Sequence, residues 1–325
     1  MTRCTISNDW AYRGIPSTVL ENGDLRVLIL TGKGADVSEI VYKPLTLNLL
    51  FRNPWGPRSP KLFPTVSPHN EMFRDFTGGG WSDILPNAGD PCDFGGAHFG
   101  LHDETPLLEW SSEITERTDE RVSAMLSVRL KKYPFSVRKL VSLDSLNNLT
   151  ITETVENESK QDLPFSWLIH PTFSTEFAEP GTVLEFDGSR MFLAGDGAEK
   201  PLGFPLFTDR DGANRDVRVV PPADFITNDT LVVDGLKEGR YSIVNKRLGI
   251  RFTLTWDKAI FPYIWYYRSL GGKDYPYYGR SRFVALEPSS SKSGGLAAQV
   301  AASDALTLGA GKTLTTTMTA NVGTP

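Results

Sequence analysis

STVLENGDLRVLIL, residues Ser17–Leu30, sets two short apolar runs on either side of Asn22-Gly23-Asp24. An Asn-Gly pair between such runs is the strongest short-range hairpin signal, because Gly accepts the positive φ that tight hairpin turns demand. The strand pattern continues outward from this point. Asp36–Leu50 mixes alternating and continuous apolar stretches. Arg121–Leu130, Phe135–Leu143 and Leu149–Val155 alternate, and each ends at Asn, Asp or Pro. Tyr241–Val244, Ile250–Trp256 and Phe283–Leu286 follow, and the Thr-rich Thr313–Val322 reads as a closing strand. β-branched and aromatic residues fit a pleated, half-buried surface, which favours this assignment. No long, capped amphipathic helix interrupts the series. Strands spaced by turns predict an all-β sandwich.

The 325 residues carry 40% hydrophobic and 22% charged side chains, with a formal net charge of -5. That balance excludes a disordered chain. It argues against a duplex-binding surface, which needs clustered Lys and Arg. No run of 18 apolar residues is present, so no membrane-spanning helix is expected. The amino-terminal residues lack the apolar core of a secretory signal, and two cysteines, Cys4 and Cys92, make no disulfide framework; both point to a reducing cytoplasm. No repeat or composition break appears, so residues 1–325 are expected to form one domain. Three segments, Arg52–Gly100, Pro180–Pro222 and Leu270–Arg282, are rich in Pro, Gly and aromatics. Irregular segments this long are expected to build a site.

Two local motifs fail. Leu308–Thr313 (LGAGKT) resembles part of a phosphate loop, but the earlier glycine is replaced by Leu306, so it is assigned to a hairpin turn. Thr208–Gly212 (TDRDG) opens like a calcium loop but lacks its glycine and closing glutamate. Titration near neutrality must draw mainly on four histidines: His69, His98, His102 and His170. His98 and His102 lie near Cys92 and Asp93, yet Gly95, Gly96 and Gly100 break any helix that would align the rings for zinc. No metal is therefore expected. His170 follows an apolar strand in PFSWLIHPTF, and Glu287 ends one in FVALEPSSS, where the next proline fixes extended backbone. Each is either an ordinary strand-end residue or a positioned acid–base group.

Six segments, in order, resemble the aldose 1-epimerase, or galactose mutarotase-like, family. They are Thr18–Phe51, Gly78–Asn87 (GGGWSDILPN), Gly100–Trp110 (GLHDETPLLEW), Leu149–Phe173, the FVALEPSSS stretch and the final glycine hairpin at LTLGAGKTLTTTM. The resemblance implies a β-supersandwich: two large, mostly antiparallel sheets with a sugar cleft on one concave face. It implies an enzyme that interconverts anomers by opening and closing the sugar ring, with a Glu as base and a His as acid and no metal or organic cofactor. Matched by segment, Glu287 takes the base position, His170 the acid position and His102 that of the family's other site histidine. Arg74, Trp81, Asp83 and Trp265 are candidate substrate-binding residues, since aromatic faces stack on sugars and charged groups bind hydroxyls. The family's substrate-binding Asp is matched only by order, at Asp229 or Asp257.

The sequence also departs from the galactose-type pattern. Asp103 stands where those enzymes have Gly, and Pro171-Thr172-Phe173 where they have Ser-Tyr-Phe. These departures suit an outlying branch acting on a modified or phosphorylated sugar, for which Arg268, Lys273, Arg280 and Arg282 are the available cations. Two alternatives stand beside the enzyme: a sugar-binding protein without turnover, and a glycoside hydrolase or lyase. A hydrolase would need a second carboxylate near Glu287, with Asp83 or Glu104 as candidates.

Overall fold

Asn22 shows how the first hairpin is held. Its side-chain carbonyl accepts the backbone N–H of Asp24 (2.9 Å) and Leu25 (2.7 Å). Its amide donates to the Asp144 carbonyl at 2.7 Å, tying the turn to a strand of a second sheet. The turn thus fixes register within one sheet and docks it on the other. The computed structural model describes residues 3–195, 201–292 and 294–325.

The first sheet has eleven strands, all paired antiparallel. Its order is Thr5–Tyr12, Ile15–Glu21, Leu25–Leu30, Asp36–Tyr42, Trp81–Ile84, Leu168–Ser174, Arg282–Ser289, Tyr263–Leu270, Thr227–Asp234 and Arg190–Leu193, with Leu47–Asn48 beside Asp36–Tyr42. The second has eight, ordered Ser111–Arg117, Arg121–Arg129, Phe135–Asp144, Asn148–Asn157, Thr313–Gly323, Ile250–Thr255, Arg240–Asn245 and Val183–Glu185. The sheets enclose one large apolar core, to which both contribute alternate residues. In Phe135–Asp144 the inward set is Phe135, Val137, Lys139, Val141 and Leu143, a period of two with a lysine at its centre. The outward set of the second sheet is hydroxyl-rich, and Thr152 and Thr154 bond across to Thr317 and Thr315. This is the β-supersandwich expected from the sequence.

Three details differ from expectation. Leu168–Ser174 runs through His170 and Pro171, and Arg282–Ser289 runs through Glu287 and Pro288, so both residues lie inside strands and not at their ends. The segment Arg52–Gly100 is mostly irregular, but Trp81–Ile84 within it is a buried strand in the middle of the first sheet. Glycines at 78–80 and the short length hid this strand. Among the described residues, helix is limited to short pieces such as Met72–Phe76 and Leu296–Ala301, and none is long and apolar enough to cross a membrane.

Candidate functional site

Cross-strand register builds the site. On the outer face of the first sheet, Ser82 is paired with His170, Glu287 with Trp265, Trp265 with Val232, and Val232 with Phe192. His170 and Glu287 fall opposite one another between the pairs Leu168↔Ser289 and Thr172↔Ala285. One row across neighbouring strands therefore carries a histidine, a carboxyl group and an indole, about 5 Å apart from strand to strand. The ladder lapses between those two pairs. There Pro288 falls opposite Ile169 and Pro171 opposite Leu286, and a proline has no N–H to donate. The two prolines remove ladder bonds on either side of the His170–Glu287 row.

Glu287 is 2% exposed, and its Oε1 lies 3.5 Å from His170 Nε2. That oxygen is buried and has no hydrogen-bond partner among the described residues. Burial pushes the Glu287 carboxyl well above the usual carboxylate range. Burial lowers His170 to about 4. Both directions favour the neutral forms, a carboxylic acid beside a neutral imidazole.

His102 completes the cluster. Its backbone sits at φ +52°, a left-handed conformation that few non-glycine residues adopt. Its ring stands edge-on to His170 at 5.5 Å and to Phe73 at 4.9 Å. Nδ1 is buried without a hydrogen-bond partner among the described residues. Burial first, then the neighbouring His170 and Arg74, hold this ring well below the ordinary histidine value, against the pull of the Ala88 carbonyl.

These groups border a cavity of about 400 Å³. Of the residues singled out from the sequence, His102, His170, Glu287, Arg74 and Trp265 all line it. Trp265 packs with Ile84, Leu168, Phe192 and Val232, and its indole N–H donates to the Ser291 carbonyl at 2.8 Å. Arg74 comes from the short helix Met72–Phe76, and its Nε lies 3.4 Å from Glu71 Oε2 without a hydrogen bond.

Trp81 and Asp83 are not brought into the cavity. They flank Ser82, and with a side-chain period of two they face the opposite way, into the core between the sheets. Trp81 donates its indole N–H to Asp83 at 2.9 Å, and Asp83 pairs with the Lys139 ammonium from the second sheet. The same inward placement takes Glu104 away, where it accepts the backbone N–H groups of Lys131 and Lys132. Neither carboxylate weighed as a hydrolase partner is at the site. Asp229 borders the cavity, but its oxygens are engaged by Arg268 (2.8 Å) and Arg210 (3.0 Å). Asp257 instead holds the Ala259 N–H in a turn. Arg268 is buried between Asp209 and Asp229, so it is no rim cation. Arg282 donates to the Phe225 carbonyl and Arg280 to that of Tyr277. His98 is paired with Asp93 on an exposed hairpin, apart from His102.

The sequence reading missed Phe73, Tyr267, Tyr277 and Asn228 as lining residues. Tyr267 was accessible to it, since strand alternation puts 267 on the same face as Trp265. Its hydroxyl donates to Asn228 Oδ1 at 2.7 Å. Tyr277 had no such signal, because it lies in a loop and is placed by stacking on Trp55 at 5.7 Å.

The sequence matches the family described as Domain of unknown function (DUF4432) over residues 12–322, and the chain belongs to that family. No curated protein matches it. Its fold is that of galactose mutarotase-like structures. A galactose mutarotase-like protein from Clostridium acetobutylicum superposes with a TM-score of 0.70, covering 99% of both chains at 13% identity. One from Lactobacillus casei gives a TM-score of 0.62, covering 94% of this chain and 100% of that one at 15% identity. A galactose mutarotase related enzyme from Lactobacillus acidophilus gives 0.62, covering 95% and 97% at 16% identity.

Proposed function

We propose that this member of the DUF4432 family is a sugar mutarotase-type isomerase that interconverts the anomers of a free aldose. One observation carries the reading: an unpartnered, buried Glu287 oxygen 3.5 Å from His170 Nε2, at the wall of a cavity sized for a monosaccharide. Ring opening needs one group to take the proton of the anomeric hydroxyl while another protonates the ring oxygen. The C1–C2 bond then rotates, and closure on the other face returns both protons.

His170 and Glu287 together hold one transferable proton. A carboxylic acid with a neutral imidazole has the same proton count as a carboxylate with an imidazolium. Burial sets the resting form with the proton on Glu287, since two neutral groups cost less than an ion pair in a dry site. From that form Glu287 protonates the ring oxygen and His170 accepts the hydroxyl proton, and the two exchange roles on closure. The sense implied by family resemblance, with Glu287 as base, is reached by passing the proton across the 3.5 Å gap first. His102, neutral and with Nδ1 free of protein partners, orients a hydroxyl or the ring oxygen. Trp265 offers an apolar face. Each positioned proton transfer contributes about 10²–10⁴-fold.

The test is anomer exchange measured by NMR on free sugars with the parent chain and with His170→Gln and Glu287→Gln. Loss of exchange in both variants, with folding intact, supports the assignment. Parent-level exchange in either variant refutes it. Tight sugar binding by a parent chain that gives no rate enhancement would favour a binding protein instead.

A further inference from the structure

The cavity is also bordered by a guanidinium, which lies near His102. Arg74 projects into it from Met72–Phe76, with its head group partly solvent-exposed and its Nε buried without a hydrogen-bond partner. Its ion pair to Glu71 is long at 3.4 Å. Arg74, Tyr267 and Tyr277 line the same cavity. Tyr277 is held rigid there by stacking on Trp55, 5.7 Å away, and by edge contacts with Phe51 and Phe283. Arg58 and Arg280 flank Trp55 from outside, each 5.9 Å from its ring.

Asp75 and Asp229 are already committed, and Asp90 borders the cavity as a further acid. Asp75 is consumed by Thr65, Val66 and Ser67. Asp229 is held by Arg268 and Arg210. Burial favours the neutral form of Glu287. The balance leaves an under-paired guanidinium facing the cavity. A neutral hydroxyl would satisfy its donors poorly, whereas an anion with two oxygens matches the guanidinium fork.

Building on the mutarotase reading, we propose that the natural substrate is an anionic aldose, carrying a carboxylate or a phosphate that Arg74 binds together with the Tyr277 hydroxyl. The anion is not carried on the anomeric carbon, because C1 of a free cyclic aldose is fully bonded to hydrogen, C2, the ring oxygen and the anomeric hydroxyl. Neutral sugars fit the same cavity and leave the guanidinium uncompensated.

The test uses glucuronate, glucose 6-phosphate and glucose as probes. Binding is measured by calorimetry on Glu287→Gln, which holds substrate without turnover, and anomer exchange is measured on the parent chain. Glucuronate or glucose 6-phosphate should bind at least 10-fold tighter than glucose, and whichever does so names the anion. Adding Arg74→Gln should remove that preference, and Arg74→Lys should restore only part of it. Preference without any catalysed exchange would keep this inference and end the mutarotase reading. Catalysed exchange of glucose with no preference for either anion would keep the mutarotase reading and overturn this inference. Absence of both binding and exchange with all three probes overturns both.

Discussion

The two faces of one short strand bury ionisable groups in opposite ways. Behind Trp81–Ile84, Asp83 meets the Trp81 indole and the Lys139 ammonium, and Lys139 lies 3.2 Å from Glu153 Oε1. All three side chains are buried, and the lysine stays charged because the acids beside it outweigh its burial. In front of the same strand, Glu287 is buried and His170 and His102 are half-buried, yet Glu287 Oε1 and His102 Nδ1 have no hydrogen-bond partner among the described residues. Buried charges that compensate one another hold sheets together and set their register. Buried polar atoms that face a void cost stability and persist where a ligand completes them. Burial alone does not distinguish a core from a site, and neither does a missing hydrogen bond, since both Glu153 oxygens lack one as well; the cavity that Glu287, His170 and His102 border does.

Two substitutions should separate the faces cleanly. Glu287→Gln is expected to slow anomer exchange about 10³-fold, roughly 4 kcal/mol of transition-state stabilisation. It should not destabilise the fold. Burial raises the folded Glu287 carboxyl above its unfolded value, so an unfolded glutamate ionises first and Glu287 costs stability as pH rises above 4.5. Glutamine has no such loss, and the variant should melt higher than the parent at pH 8. Lys139→Met should do the reverse. It strands Asp83 in the core and is expected to cost about 3–5 kcal/mol in denaturant unfolding. The fraction that remains folded should keep near-parent kcat. A Lys139→Met protein that is stable but inactive would break the division between faces.

The acid limb sharpens the same contrast. Between pH 6.5 and about 4 the unfolded chain binds a proton at position 170 and the folded chain does not. Stability therefore falls as pH drops through that window, by about 3 kcal/mol at most. The exchange rate should hold across it and decline only near pH 4, as the folded imidazole protonates. His170→Gln should flatten this part of the stability profile. An acid limb in kcat centred near 6.5 would mean that the imidazole is wetter than the fold implies.

The sequence made the sheets legible where side chains alternate over long runs. Phe135–Asp144 and Asn148–Asn157 match their expected strands to within two residues at each end. It also paired His170 with Glu287 before any geometry was known, through the matched family segments. It misplaced Trp81 and Asp83 because a motif gives position along the chain and says nothing about which face of a strand a residue occupies. A four-residue strand amid glycines gives too little alternation to settle that parity. Tyr277 was invisible for another reason: its place depends on Trp55, more than two hundred positions away.

The smallest expected effect concerns the prolines beside the row. Pro288→Ala adds an N–H where the ladder between the two strands lapses. A new bond to the neighbouring strand would add about 1 kcal/mol. Loss of the proline constraint on the unfolded chain would take back a similar amount. Net stability should thus change by less than about 1 kcal/mol. Activity should change more. Closing the ladder would move the Glu287 carboxyl relative to the imidazole, and small misplacements of a reacting group lower kcat more than KM. A several-fold drop in kcat at unchanged KM is expected, together with a slowly exchanging amide at position 288 by NMR. A protected amide with parent-level kcat would show that the prolines shape only the backbone, and that the site tolerates a closed ladder.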